Sequence, residues 1–91
     1  MVESSQIDRL FYALSDATRR DILERLRYGE LSVNEIAMMY EVSLADISKH
    51  LKILHECGLV SKRKDGRKVF ATTNLEAIAF GETYLAQYRS N

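Results

Sequence analysis

Ser43-Leu-Ala-Asp-Ile-Ser-Lys-His-Leu-Lys-Ile-Leu54 decides the fold. Ser43, with Asp46 three places on, opens a helix: the serine oxygen takes up an amide N–H that no helical carbonyl can reach. Ile47, Leu51 and Leu54 then recur at helical spacing as one apolar stripe. With that stripe turned inward, Leu44, Ala45, Ser48, Lys49 and Lys52 are left on the outward side. Just upstream, Ser32-Val-Asn-Glu35 is a full capping box. It predicts a short helix over Val33–Tyr40 with Ile36, Ala37 and Tyr40 facing inward. Only Glu41 and Val42 separate the two predicted helices, so they must cross steeply, with Val42 plugging the junction. Such a pair is a helix-turn-helix.

Downstream, Gly58 ends the helix, and Leu59, Val60, Val69 and Phe70 lie on strand-like arms around Asp65-Gly66, a strong hairpin signal. The arms carry Lys62, Arg63, Lys64, Arg67 and Lys68 around a turn two residues long. A basic-tipped hairpin directly after a helix-turn-helix is a wing. Upstream, Ile7, Leu10, Phe11 and Leu14 mark a helix over Ser5–Leu14. Asp16 caps a second helix carrying Ile22, Leu23 and Leu26 and ending at Gly29. Leu75, Ile78, Ala79, Leu85 and Tyr88 mark a last helix over Leu75–Tyr88. The expected fold is mainly α with a small β-hairpin, in the order α-α-α-α-β-β-α, as a single domain over residues 1–91.

Composition narrows the class. The 91 residues are 46% hydrophobic and 29% charged, proportions of a soluble globular chain with no run long enough to span a membrane. One cysteine, Cys57, and a polar N-terminus without an export signal give a cytoplasmic expectation. Cys57, beside Leu59 and Val60, reads as a packing residue. A formal net charge of zero conceals a partition. Met1–Val42 holds five basic against eight acidic residues, whereas Ser43–Lys68 holds seven basic against three acidic. A polyanion senses potential over about one Debye length, roughly 8–10 Å, so the local excess governs.

The expected partner is therefore double-stranded DNA. Recognition helices present their N-terminal residues to base edges in the major groove. Ser48 and Lys49 offer hydrogen-bonding groups there, and Leu44 and Ala45 suit a thymine methyl. Ser43, His50 and Lys52 on the flank, with Lys62, Arg63, Lys64, Arg67 and Lys68 on the wing, are the expected backbone contacts. Asp46 reads as a cap residue closing the box begun by Ser43. Catalytic patterns are missing: no glycine-rich phosphate loop, no clustered Cys/His set and no nucleophile–base pair. His50 and His55, five apart, are poorly spaced to share a metal. No enzymatic role, cofactor or metal is expected. A protein-interaction module with an acidic partner, or an architectural binder indifferent to sequence, stay as alternatives.

From Leu14-Ser-Asp-Ala-Thr-Arg-Arg-Asp-Ile-Leu23 through Ser43–Leu54 to Cys57-Gly-Leu-Val60 and Lys64-Asp-Gly-Arg67, the chain resembles the ArsR family of small dimeric winged-helix regulators. The resemblance covers about Ile7–Leu85. It implies a homodimer built from the first and last helices, here through Ile7, Leu10, Phe11, Ile78, Leu85 and Tyr88. It also implies a repressor whose two recognition helices enter successive major grooves of a near-palindromic site. The departures are specific. The third helix, Leu31-Ser-Val-Asn-Glu-Ile-Ala37, lacks the cysteines of metal-sensing members, and Leu75–Asn91 has no histidine or aspartate. Glu41 stands where members often carry Gly or Asn, which predicts a strained or shifted turn.

Overall fold

The first helix begins where a side chain supplies what the backbone lacks. In the computed structural model, which describes residues 5–89, Ser5 and Asp8 form a reciprocal capping box ahead of α1 (Gln6–Leu14). The expected domain over 1–91 also takes in residues 1–4 and 90–91, which lie outside this range. Asp16 accepts from the Arg19 N–H at 3.1 Å and starts α2 (Ala17–Leu26). That helix stops three residues before Gly29, which at φ 134° turns the chain into a strand that no periodicity announced. This strand, β1 (Leu31–Ser32), is two residues long, too short to show an alternating pattern.

Helix α3 (Val33–Met38) starts from the Ser32–Glu35 box and ends two residues earlier than expected. The amides of Met39 and Tyr40 bond back only three residues, to Ile36 and Ala37, so the last turn tightens and Tyr40 belongs to the connection. Val42 does not plug the junction with α4 (Leu44–Glu56); it is about half exposed, at 48%. Ile36, Ile47 and Leu51 are the solvent-free residues of these two helices there, because each lies on an inward stripe while Val42 sits at the outer bend. Glu41 is unstrained: no described non-glycine residue has a positive φ.

A Schellman motif closes α4. The Leu59 N–H reaches the Leu54 carbonyl at 2.9 Å, the Gly58 N–H reaches that of His55 at 3.0 Å, and Gly58 takes φ 87°. Leu54 and Leu59 are both solvent-free, so the motif launches the wing from a fixed point in the core. Strands β2 (Val60–Asp65) and β3 (Lys68–Thr73) pair antiparallel from Val60↔Thr73 to Asp65↔Lys68. The two-residue turn is therefore Gly66-Arg67, not Asp65-Gly66. Gly66 at φ 62° followed by a residue of negative φ is the sign pattern of a type II′ turn, which wants glycine first. The three strands run in the order β1-β3-β2, with Leu31↔Ala71 and Ser32↔Phe70 joining β1 to β3.

Asn74 ties the far end of the hairpin to the α4 corner. It caps α5 (Leu75–Ala86) through Glu76 N–H, and its Nδ2 donates to the Gly58 carbonyl at 2.8 Å. The core gathers Ile22, Ile36, Ile47, Leu51, Leu54 and Leu59, none with appreciable solvent contact. Each such burial contributes about 1.5–3 kcal/mol. Helices α1 and α5 approach closely at Gly81, where a Cβ would lie 2.8 Å from Leu10 Cδ2.

Candidate nucleic-acid interface

Three elements converge on a cleft of about 260 Å³. Helix α4 contributes Leu44 and Ser48, the wing contributes Lys62, Arg67 and Lys68, and the start of α3 contributes Val33 and Asn34. Ser43 sits just outside the first turn of α4 as its N-cap and accepts from the Asp46 N–H at 3.1 Å. Its hydroxyl is thus committed to the helix. The return bond expected from the Asp46 carboxylate is not made among the described residues, so Asp46 remains an exposed acid on this face. Both Glu35 in α3 and Asp8 in α1 make that return bond, so α4 alone among the three serine-capped helices has a one-sided cap.

Lys49, Ala45 and Lys52 are exposed on α4 beside the cleft without lining it. His50 is drawn inward. Its Nδ1 is out of solvent contact, has no hydrogen-bond partner, and stands 3.6 Å from Asp16 Oδ2. Asp16 has its pKa lowered, first by the Arg19 backbone N–H and then by the charges of His50 and Arg19.

The wing's five cations divide by strand register. Lys62 and Lys64 stand opposite Ala71 and Val69 and share their face, while Arg63 stands opposite Phe70 on the other. Arg63 is engaged three times: it holds the Glu30 carboxylate in a fork at 2.6 and 3.1 Å, stands 3.9 Å from Asp65 Oδ2, and lies 4.6 Å from the Phe70 ring centroid. That fork holds the Glu30 carboxyl below its usual pKa. In contrast, Lys49, Lys52, Lys62, Lys64, Arg67 and Lys68 form no ion pair within 4 Å among the described residues. The helix-turn-helix is braced from behind. Tyr40 Oη donates to Asp21 Oδ2 at 2.5 Å, and Arg25 Nε donates to both Asp21 and the Tyr40 oxygen.

Asn34 escaped the sequence reading. Its signal was available: it is a polar residue in the first turn of the first helix of the motif, where that helix crosses the nucleic-acid backbone. Arg19 carried no such signal. It is buried, donating Nε to the Ala13 carbonyl at 2.8 Å and Nη2 to that of Tyr12 at 3.0 Å.

The residues named for a second copy are placed unevenly. Leu10 is buried within the chain, Ile7 and Ile78 are half-buried, and Phe11, Leu85 and Tyr88 are exposed. Phe11 and Tyr88 both meet Tyr84 edge-on, and the Tyr84 and Tyr88 hydroxyls lie 2.9 Å apart, so α1 and α5 share an aromatic seam. Among the described residues no group of three His, Cys, Asp or Glu side chains is placed to hold a metal, and no helix is long and apolar enough to cross a membrane.

Known proteins share this arrangement. Residues 16–62 match the family described as bacterial regulatory protein, arsR family. The HTH-type transcriptional regulator Rv2034 of Mycobacterium tuberculosis is 47% identical over 64 residues, covering 69% of this chain and 60% of that protein. The matched stretch thus spans less than two thirds of that relative's length. The transcriptional repressor SdpR of Bacillus subtilis is 34% identical over 68 residues, covering 75% of this chain and 76% of that protein. In three dimensions the chain is similar to an ArsR-like transcriptional regulator from Rhodococcus sp. RHA1. The TM-score is 0.83 at 33% identity, covering 90% of this chain and 75% of that one. The same fold, at TM-score 0.75 and 24% identity over 99% of this chain and 94% of that one, is that of a homodimeric winged helix-turn-helix DNA-binding domain from Mycobacterium bovis. A capped helix-turn-helix, a basic wing set by a Schellman motif, and these matches agree: the chain belongs to the arsR family of winged helix-turn-helix bacterial regulatory proteins.

Proposed function

We propose that the chain binds double-stranded DNA sequence-specifically as a homodimer and represses transcription by occluding a promoter. The observation that carries this reading is that six cations of α4 and the wing, three of them lining the cleft, form no ion pair within 4 Å among the described residues. Unpaired cations concentrated on one face release counterions on meeting a polyanion, which drives binding. Leu44, Ala45, Ser48 and Lys49 read base edges. Lys52, Lys62, Lys64, Arg67 and Lys68 meet the backbone, and Ser43 holds the helix end. Arg63 and His50 act through the wing and the α2 cap, since each already faces a carboxylate of its own chain.

The second copy covers the exposed seam of Phe11, Leu85 and Tyr88. Such a pair places two recognition helices about one helical turn of DNA apart, roughly 10 bp or a small multiple. The reading treats the chain as a single domain over residues 1–91 acting in the cytoplasm, with no catalytic step, metal or cofactor.

Selection of bound duplexes from a random library, followed by anisotropy titrations at two salt concentrations, tests it. A two-fold symmetric consensus is expected. Ser48→Ala and Lys49→Ala should each lose about 1–3 kcal/mol of discrimination at one base position. No binding even near about 50 mM salt, where backbone contacts are strongest, would move the reading to an acidic protein partner. Equal affinity for every sequence would make the chain an architectural binder.

A further inference from the structure

A second groove, of about 580 Å³ and sharing no lining residue with the cleft, opens between α2, the end of β3 and the start of α5. We infer that this groove binds a small apolar carboxylic acid in its ionised form. Its volume lies within the range of about 300–1,000 Å³ typical of small-molecule sites. Leu14, Leu23 and Leu26 line one wall, and Leu75 and Ile78 line the other. Leu75 is unusual for a leucine, being 75% exposed at the first position of its helix. The groove also includes Thr73, whose Oγ1 is out of solvent contact and has no hydrogen-bond partner. A buried hydroxyl left unpaired costs about 1–3 kcal/mol, so it marks a place where a partner group is missing.

Charge selects the anion. Arg20, Glu24 and Arg27 stand at the groove on one face of α2. Arg27 Nη1 pairs with Glu24 Oε1 at 2.8 Å, which cancels one cation. Arg20 is the surplus: it donates Nη1 to the Leu14 carbonyl at 2.7 Å and keeps further donors on the same planar group. The N-terminal end of α5 adds a partial positive charge, opposed by Glu76 in its first turn. One net cation over an apolar trough suits a single carboxylate with a hydrocarbon body. Ile78 is shared with the face assigned to the second copy, and α2 carries the Asp21–Arg25 brace of the helix-turn-helix. An occupant would therefore touch both the dimer seam and the element behind the recognition helix. Binding itself does not depend on the DNA-binding reading, and its test uses no DNA.

The experiment titrates protein carrying ¹³C-labelled methyl groups with decanoate and, separately, with the neutral decanol. Decanoate is expected to shift the methyls of Leu23, Leu26, Leu75 and Ile78 saturably, with one molecule per chain. Decanol should bind more weakly, by about tenfold for the absence of one charge-assisted hydrogen bond. Arg20→Gln should erase that preference while leaving decanol binding unchanged. Thr73→Val should weaken decanoate binding and raise the urea midpoint of the free protein, which separates a ligand role from a folding defect. The inference is overturned if no saturable shift occurs at millimolar decanoate. It is equally overturned if the shifts fall on Leu85 instead, or if Arg20→Gln leaves the decanoate preference intact.

Discussion

Asp16 shows how much a single side chain does in a domain of this size. It caps α2 and faces the buried Nδ1 of His50, so the start of one helix and the middle of the recognition helix share one carboxylate. Its folded pKa lies below that of an unfolded aspartate. The stability it adds is therefore complete above roughly pH 4 and is lost as pH falls through the folded value. Asp16→Asn, which keeps a capping oxygen, should unfold in urea near the wild-type midpoint at pH 7 but with a shallower loss of stability in acid. Asp16→Ala removes the cap and should cost about 1 kcal/mol at pH 7. Arg19 is a second such residue. Arg19→Met leaves the buried Ala13 carbonyl without its donor and should cost about 1–3 kcal/mol by the same measurement.

At the scale of elements, the wing and the helix-turn-helix are each held by a polar clasp between side chains distant in sequence. Arg63 clasps Glu30 and lies over Phe70, which ties the wing to the chain just ahead of β1, and in the proposed reading its neighbours make the phosphate contacts. Arg63→Ala and Glu30→Gln should both weaken DNA binding while leaving the salt dependence near wild type. Lys62→Ala or Lys68→Ala should lower the slope of log affinity against log salt by about one for each phosphate left without its cation. Anisotropy across a salt series separates the two behaviours, and a full unit drop in slope for Arg63→Ala would return that residue to the backbone contacts. Tyr40, Asp21 and Arg25 do for the short turn what the wing clasp does for the hairpin. The turn is free of backbone strain, and its position comes from these side chains.

For the whole molecule, the exposed seam of α1 and α5 is the face proposed for a second copy. Leu85 is 54% exposed and Tyr88 71%, so a charge at either place disturbs little within one chain. Leu85→Glu should give a folded monomer by sedimentation, with a urea midpoint that no longer depends on protein concentration. It should lose far more affinity for a two-half-site duplex than for a single half-site, because the second helix no longer arrives with the first. A Leu85→Glu protein that stays dimeric would place the interface elsewhere. Gly81 belongs to the same scale: it lets α5 lie against Leu10, and a larger residue there would push apart the two helices that carry the seam.

Nearly every helix start was legible in the sequence, because caps are local. Ser32–Glu35, Ser43 and Asp16 reach only three residues along the chain, so their types and spacing suffice. The inward stripe of α4 was legible for a similar reason, since helical geometry alone puts residues 47, 51 and 54 on one side. Ser43–Leu54 was thereby determined as an amphipathic helix behind a short turn, with Leu44, Ala45, Ser48 and Lys49 facing out. What that face does beside its neighbours was decided by the tertiary structure. Arg63 and Glu30 are thirty-three residues apart, Tyr40 and Asp21 nineteen, and no local pattern brings them together. The turn moved to Gly66-Arg67 because strand pairing with β3 set the register, and Asn34 entered the cleft because the wing folds back beside α3. Short-range hydrogen bonds and periodicity are written into the chain residue by residue. Which cations stay free depends on which carboxylates the fold carries to them.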